Sequence, residues 1–419
     1  MKHRVAESSF LSWISDNRFT DDFLFLKYLS NEESIDYENL DGIFLEHDSP
    51  IKRNIYKKVM KDIPLCNQKN NVIDLDSLKS FLSCEVYDKN EIGMVFKHFY
   101  NIPQFLSENE IKIIDGKKRS KLSKEKIIRF IHSIPSECNL FFYIITGSIN
   151  RDYLEFNDFP PIIMNYLIDS GFNEQIKTMP SLFSRYIDFI TVRLFILLDD
   201  CNRKRIFSRT LKAEDFENIL FSVAKFEQFK VVYQVYQSLM PNEKSYLTIK
   251  DIYHYDQRKI SPFIIDRMMM LICERDSIKK ISFSEFCYFM MFIEDKSTIS
   301  SFNFWYNICD IGDDGVLSFK DIEEMFMIQH NHISSQGCKL EIFKNVLPHI
   351  VDLLQSTKPI SRHFLKRSGN WVAVFSLIID QNLSDDINVI DPLYNYSSKP
   401  SVMSLWDSFC LRVLRRNNL

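Results

Sequence analysis

The stretch Asp310-Ile-Gly-Asp-Asp-Gly-Val-Leu-Ser-Phe-Lys-Asp321 decides how this chain reads. Counted as a twelve-residue helix–loop–helix calcium loop, it puts Asp310 at position 1, Gly312 at position 3, Asp314 at position 5 and Gly315 at position 6. Val316 then offers a carbonyl at position 7, Leu317 is the apolar position 8, Ser318 is position 9 and Asp321 closes the loop at position 12. Calcium takes six to eight oxygens, so carboxylates must alternate around a sharp turn, and a glycine at position 6 supplies that turn. The expected cation ligands are Asp310, Asp314, Val316, Ser318 (through a water) and Asp321. Two places depart from the ideal. Position 3 is Gly, which removes one carboxylate, and position 12 is Asp, one methylene shorter than Glu. The expectation is an EF-hand that binds Ca2+ weakly, and at this loop alone.

The end of the loop is one copy of a recurring pattern: an apolar residue, usually Ser or Thr, two variable residues, an acid, and another apolar residue. It reads Leu247-Thr-Ile-Lys-Asp251-Ile252, Ile281-Ser-Phe-Ser-Glu285-Phe286 and Leu317-Ser-Phe-Lys-Asp321-Ile322. Looser copies start at Leu154 and Leu211, and echoes without the acid start at Leu122 and Ile360. Ser or Thr followed three residues later by a carboxylate is a helix capping box, and the apolar residue ahead of it staples the chain to the helix. A period near 35 residues marks a repeated supersecondary unit. Such units pack in twos, and the spacings suggest pairs at 122/154, 211/247 and 281/317. The windows ending at Asp251 and Glu285 fail as cation sites. Met240 and Lys244 stand at positions 1 and 5 of the first, and Ile278 and Lys279 replace a ligand and the glycine of the second.

Elsewhere the pattern is helical, as in Arg185 to Leu198, and prolines at 103, 135, 160, 161, 180 and 241 fall where helices should start or stop. Phe numbers 36 and Tyr 18, so aromatic rings should dominate the core. Gly numbers only 9 in 419 residues, which argues against phosphate-cradling chemistry. There is no GxGxxG, GxxxxGK, GxSxG or HExxH. The 52 basic and 56 acidic residues leave a net charge of −4, with no global pull toward nucleic acid. Nine cysteines, none spaced CxxC, read as small buried hydrophobes in a reducing compartment. The first residues lack a hydrophobic signal core, and the longest apolar run, Phe286 to Ile293, is far shorter than the ~20 residues a membrane span needs. A cytoplasmic or nuclear location is expected. His330 and His332 read as a surface helix terminus. The clusters Lys117-Lys118-Arg119 and Arg203-Lys204-Arg205 read as solvated loops able to meet an acidic partner.

The block Ile281 to Ser318, with Glu294-Asp-Lys296 and Phe304-Trp-Tyr306 inside it, resembles the B″ regulatory subunits of protein phosphatase 2A. Ile102-Pro-Gln-Phe105, Asp158-Phe159, Phe183-Ser-Arg-Tyr-Ile187, Asp352-Leu353, Leu365-Lys-Arg367 and Ser404-Leu-Trp-Asp407 resemble further segments of that family in order and spacing. The resemblance runs from about residue 100 to 412. It implies an all-α fold, an elongated array of paired EF-hand-like units. It also implies a non-catalytic targeting role, in which a HEAT-repeat scaffold subunit and the catalytic subunit are brought to phosphoprotein substrates. Calcium sites at 240–251 and 310–321 are implied too, and this chain has lost the ligands of the first. The expected segments are an N-terminal helical extension (1–100), degenerate pairs at 101–182 and 183–268, the pair with the recognisable loop at 269–345, and a C-terminal helical region (346–419). The apolar run Phe10, Leu11, Trp13, Ile14, Phe19, Phe23 to Leu26 reads as a binding element for the scaffold or as packing on the chain's own repeats. The competing function is a freestanding calcium sensor or adaptor. An enzyme with accessory EF-hands would need a catalytic domain within residues 1–100.

Overall fold

The computed structural model describes residues 86–116, 121–123, 126–127, 130, 133–134, 139–240, 246–273, 280–336, 343–354, 358–380 and 404–416. The apolar segment Phe10 to Leu26 lies outside them. The chain divides into two compact units, Met1–Arg151 and Asp152–Leu419.

In the first unit, β1 (Val86–Asp88) leads into α1 (Lys89–Tyr100), followed by α2 (Ser107–Asp115), β2 (Lys121–Ser123) and α3 (Leu140–Thr146). Asp88 and Glu91 form a reciprocal capping box that starts α1, with Glu91 N–H donating to Asp88 at 3.0 Å and Asp88 N–H donating to Glu91 at 2.7 Å. Strands β1 and β2 pair antiparallel with Tyr87 opposite Leu122, and both side chains are buried. The helical array therefore reaches upstream of Asn101, where the sequence led us to expect it to begin.

The second unit opens with β3 (Tyr153–Leu154), α4 (Phe159–Asp169), α5 (Asn173–Thr178), α6 (Pro180–Leu198) and β4 (Ile206–Phe207). Then come α7 (Ala213–Val223), α8 (Phe226–Leu239), α9 (Ile249–Ile252), α10 (Pro262–Ile272), α11 (Phe283–Glu294) and α12 (Ile299–Cys309). The rest is β5 (Val316–Leu317), α13 (Phe319–Ser334), α14 (Phe343–Leu354), β6 (Ile360–Ser361), α15 (Arg362–Ser368), α16 (Trp371–Ile379) and α17 (Leu405–Arg416). Helix α6 is the spine, buried along most of its length and packed on α4, α7, α11 and α12. Its Phe183, Tyr186 and Phe189 meet Phe226 and Phe229 of α8, and Phe229 meets Phe283 of α11, with ring centroids 5.1–6.3 Å apart. At these separations tilted and edge-on rings add to the burial energy, so the aromatic-rich composition is spent in the core as expected. No helix among the described residues is long and apolar enough to cross a membrane.

The recurring caps form as the sequence predicts. Thr248 with Asp251, Ser282 with Glu285 and Ser318 with Asp321 make capping boxes that open α9, α11 and α13, and Ser361 caps α15 without the acid. The apolar residue before each cap is buried: Leu247, Ile281, Leu317 and Ile360 are at most 1% exposed.

The pairing differs from the expectation. Leu122 faces Tyr87, Leu154 faces Ile206, Leu247 faces Ile281, and Leu317 faces Ile360. The expected partners 122/154, 211/247 and 281/317 are one repeat out of phase. The reason is that spacing within a pair (247 to 281) nearly equals spacing between pairs (281 to 317), so a period carries no phase. The 206 strand also has no Ser or Thr cap to mark it, since Lys212 opens α7 without a side-chain cap. Leu211, which carried the pattern there, is buried but lies in the turn after β4. His330 and His332, expected just beyond a helix, sit in the last turns of α13, where His330 stacks on Phe326. Of the described cysteines, Cys273, Cys287, Cys309 and Cys410 are buried, whereas Cys201 is exposed.

Candidate functional site

The 310–321 loop is built from both flanks. Helix α12 ends where Asp310 becomes its C-cap, with Asp310 N–H donating to Tyr306 O at 3.0 Å. The last carbonyls of α12 lack helical partners, and Arg267 of α10 supplies them. Its Nε donates to Ile308 O at 3.1 Å, and its Nη2 to Asn307 O at 3.1 Å and Asp310 O at 3.0 Å. On the other flank, Ser318 and Asp321 start α13. Between them Asp313 (φ 52°) and Gly315 (φ 80°) reverse the chain in the left-handed region. Gly315 makes that turn without the strain a side chain would bring.

Asp310 is only 4% exposed and organises the turn. Its Oδ2 accepts the Gly315 N–H at 2.9 Å and its Oδ1 accepts the Asp314 N–H at 3.3 Å. Asp314 Oδ1 accepts the Val316 N–H at 2.8 Å. Asp321 Oδ1 accepts the Gly312 N–H at 3.3 Å, while Oδ2 accepts the Ser318 N–H at 2.9 Å and the Ser318 hydroxyl. The loop thus brings Asp310, Gly312, Asp314, Val316, Ser318 and Asp321 around one turn, in the order the sequence predicts. Its three carboxylates are turned onto main-chain amides, however. Among the described residues no three His, Cys, Asp or Glu side chains converge closely enough to hold a metal ion.

Beneath the loop, Tyr306 joins it to the next repeat. Its hydroxyl accepts the buried Leu317 N–H at 3.1 Å and lies 2.7 Å from Ile360 O and 3.2 Å from Gly315 O, so it can donate to either carbonyl. Burial pushes the Tyr306 phenol above its ordinary value and keeps it a neutral donor. Arg362 of α15 lies 4.6 Å over its ring. Arg267 was not singled out from sequence, and Tyr306 entered only as the end of the Phe304-Trp-Tyr306 segment with no role assigned, because each acts on backbone atoms.

A second loop has the same backbone course. Asp199 is the C-cap of α6, as Asp310 is of α12. Its Oδ2 accepts the Lys204 N–H at 2.7 Å, matching the 2.9 Å bond from Gly315 to Asp310. Asn202 (φ 52°) and Lys204 (φ 57°) occupy the places of Asp313 and Gly315, and Ile206 the place of Leu317. Residues 199–210 are therefore a loop of EF-hand shape with cations at its middle positions. Asp199, placed ahead of the strand-like pair Ile206-Phe207 as Asp310 is ahead of Val316-Leu317, was the one available signal in the sequence.

No protein-family model matches the chain. Among curated proteins it is 22% identical over 348 residues to a probable B″epsilon regulatory subunit of serine/threonine protein phosphatase 2A from Arabidopsis thaliana, covering 78% of this chain and 66% of that relative. It is 25% identical over 230 residues to the human B″ alpha regulatory subunit of the same phosphatase, covering 51% of this chain and 20% of that relative. The chain thus spans just under two thirds of the length of the plant relatives, 66% of one and 64% of another. A chain of a solved PP2A PR70 holoenzyme shares the fold, with a TM-score of 0.52 at 22% identity, over 61% of this chain and 100% of that one. The strand-paired helical repeats, the loop at 310–321 and the consistent naming of these relatives agree: the chain is similar to the B″ regulatory subunits of protein phosphatase 2A.

Proposed function

We propose that the chain is a non-catalytic targeting subunit, which joins the phosphatase 2A scaffold and catalytic subunits to phosphoprotein substrates in the cytoplasm and nucleus. The observation that carries this reading is the 348-residue similarity to a named B″ relative, which spans 78% of the chain. The absence of nucleotide-binding and hydrolytic motifs from the sequence is consistent with it. The test is a tagged full-length chain expressed with scaffold and catalytic subunits. Both should co-purify in stoichiometric amounts, and recovery of neither would end the reading.

The 310–321 loop is proposed to take Ca2+ weakly. Asp310, Asp314 and Asp321 supply carboxylates, Val316 a carbonyl, and Ser318 holds a water. The loop already has the turn that such a site needs, with Gly315 in the left-handed region and Asp310 at its centre. Against tight binding stand the missing acid at position 312 and the cost of drawing Asp314 and Asp321 off the amides they accept. The affinity should fall below that of sensor sites, which lie at roughly 10⁻⁷–10⁻⁵ M. Titration calorimetry of the wild type against Asp310→Ala decides it. Sub-micromolar binding lost in the variant would overturn the weak-site claim, and binding unchanged by it would move the site elsewhere.

A further inference from the structure

The loop at 199–210 keeps the shape of a cation-binding loop and reverses its charge. Where a calcium loop presents side-chain oxygen, this one carries Cys201 and Arg203 at positions 3 and 5, with Lys204 at the turn, Arg205 at position 7 and Arg209 at position 11. It closes without a metal. The buried Asp199 carboxylate accepts the Lys204 N–H at 2.7 Å, so the turn is fixed by the protein's own main chain. Arg203, Lys204, Arg205, Arg209 and Lys212 are all exposed.

Two of these cations rest on a rigid platform. Tyr153 of β3 and Phe207 of β4 are cross-strand partners, with ring centroids 5.9 Å apart. The Arg205 guanidinium lies 4.3 Å over the Tyr153 ring, and that of Arg209 lies 5.0 Å over the Phe207 ring. A guanidinium held over an aromatic face has lost part of its rotamer freedom before it meets a ligand, so less is lost on binding. Arg203 and Arg209 have no carboxylate partner among the described residues. Arg205 pairs with Glu155 at 3.2 Å, with both side chains nearly half exposed, and Lys212 pairs with Glu214 at 3.7 Å. Exposed pairs of this kind are weak and exchangeable.

We propose that this strand pair and its loop form a docking face for a phosphorylated, acid-flanked segment of a partner protein. The proposal deepens the targeting reading and rests on it, for the segment would belong to a phosphoprotein brought to the phosphatase. Forked guanidiniums fit phosphate and carboxylate oxygens bidentately. The size of the face favours a short segment over a polynucleotide. Its cations span 203–212 and are bordered by Asp152, Glu155, Asp200, Glu214 and Asp215, in a chain of net charge −4, so a longer polyanion would meet repulsion on leaving it.

The test uses the purified full chain and a fluorescein-labelled peptide carrying one phosphoserine between aspartates, read by anisotropy. Arg203→Glu with Arg209→Glu should weaken binding ~10-fold or more, and added salt should weaken the wild type. Arg203→Gln with Arg209→Gln, which keeps the stems and avoids new repulsion, should show a smaller loss in the same direction. Binding equal in wild type and both variants overturns the proposal. So does a single-stranded oligonucleotide or a phosphatidylserine vesicle that binds more tightly than the peptide. Retention of the scaffold and catalytic subunits is measured on the same proteins. Variants that assemble normally and lose the peptide support the docking face. Arginine-dependent peptide binding by a wild type that retains neither of those subunits supports the docking face and ends the targeting reading.

Discussion

Replacing Gly312 by Asp tests the reading of the 310–321 loop most directly, because it restores the one carboxylate whose loss was deduced from the sequence. The site can accept it. A Cβ built on Gly312 would lie 3.7 Å from Asp321 Oδ1, an ordinary contact, and its φ lies outside the left-handed region. In the absence of a cation the new charge is unfavourable. At a separation of roughly 5 Å from the Asp321 carboxylate, repulsion amounts to about 0.8 kcal/mol in water and about 3 kcal/mol at an effective dielectric constant of 20. The loop is open to solvent at 311–315, so the lower figure applies and the protein should melt slightly earlier in chelator. With calcium the sign reverses. A charged ligand replaces a water, and affinity should rise by at least ~10-fold, about 1.4 kcal/mol. Calorimetry gives the affinity, and thermal melts in chelator and in millimolar calcium give the reversal. Gly312→Asp that lowers the melting temperature equally in both media, with no gain in calcium heat, would refute the loop's assignment as a cation site.

Three further outcomes follow from the geometry. Tyr306→Phe leaves the buried Leu317 N–H without its hydroxyl partner and should cost about 1–3 kcal/mol in denaturant unfolding. The half-buried Glu294 accepts a hydrogen bond from Tyr255 at 2.6 Å, and its carboxyl is pushed up to about 7, chiefly by burial, with Tyr255 and Lys296 pulling the other way. Because the unfolded value is ~4.3, the folded state holds more protons between ~4.3 and about 7. This contribution to stability is whole at low pH and is lost as pH rises through about 7, so Glu294→Gln should flatten the fall in stability between pH 5 and 8. Trp406 of α17 is 2% exposed, donates its indole N–H to Gln228 at 3.0 Å, and lies under the Arg193 guanidinium at 5.6 Å. Trp406→Ala should cost about 3–5 kcal/mol and expose 405–416 to limited proteolysis first, with α6 and α11 remaining protected.

What the sequence determined by itself is local. A capping box needs residues three apart, a calcium-type turn needs Asp310 and Gly315 five apart, and an amphipathic helix such as α6 shows its buried face in its own period. These were legible at Thr248, Ser282 and Ser318, at the 310–321 loop, and through 185–198, because the interacting groups lie on one short piece of chain. The tertiary structure alone decided which repeats pair. A two-residue strand with one buried aliphatic side chain fits many partners, and the choice of Ile360 over Ile281 for Leu317 falls to the helices that carry the strands. It alone placed Arg267 on the α12 carbonyls 40 to 43 residues away. It alone exposed 199–210 as a loop of the same shape as 310–321. A main-chain bond to the aspartate at position 1 holds that shape, so positions 3 and 5 could change to Cys201 and Arg203 while the turn stayed the same.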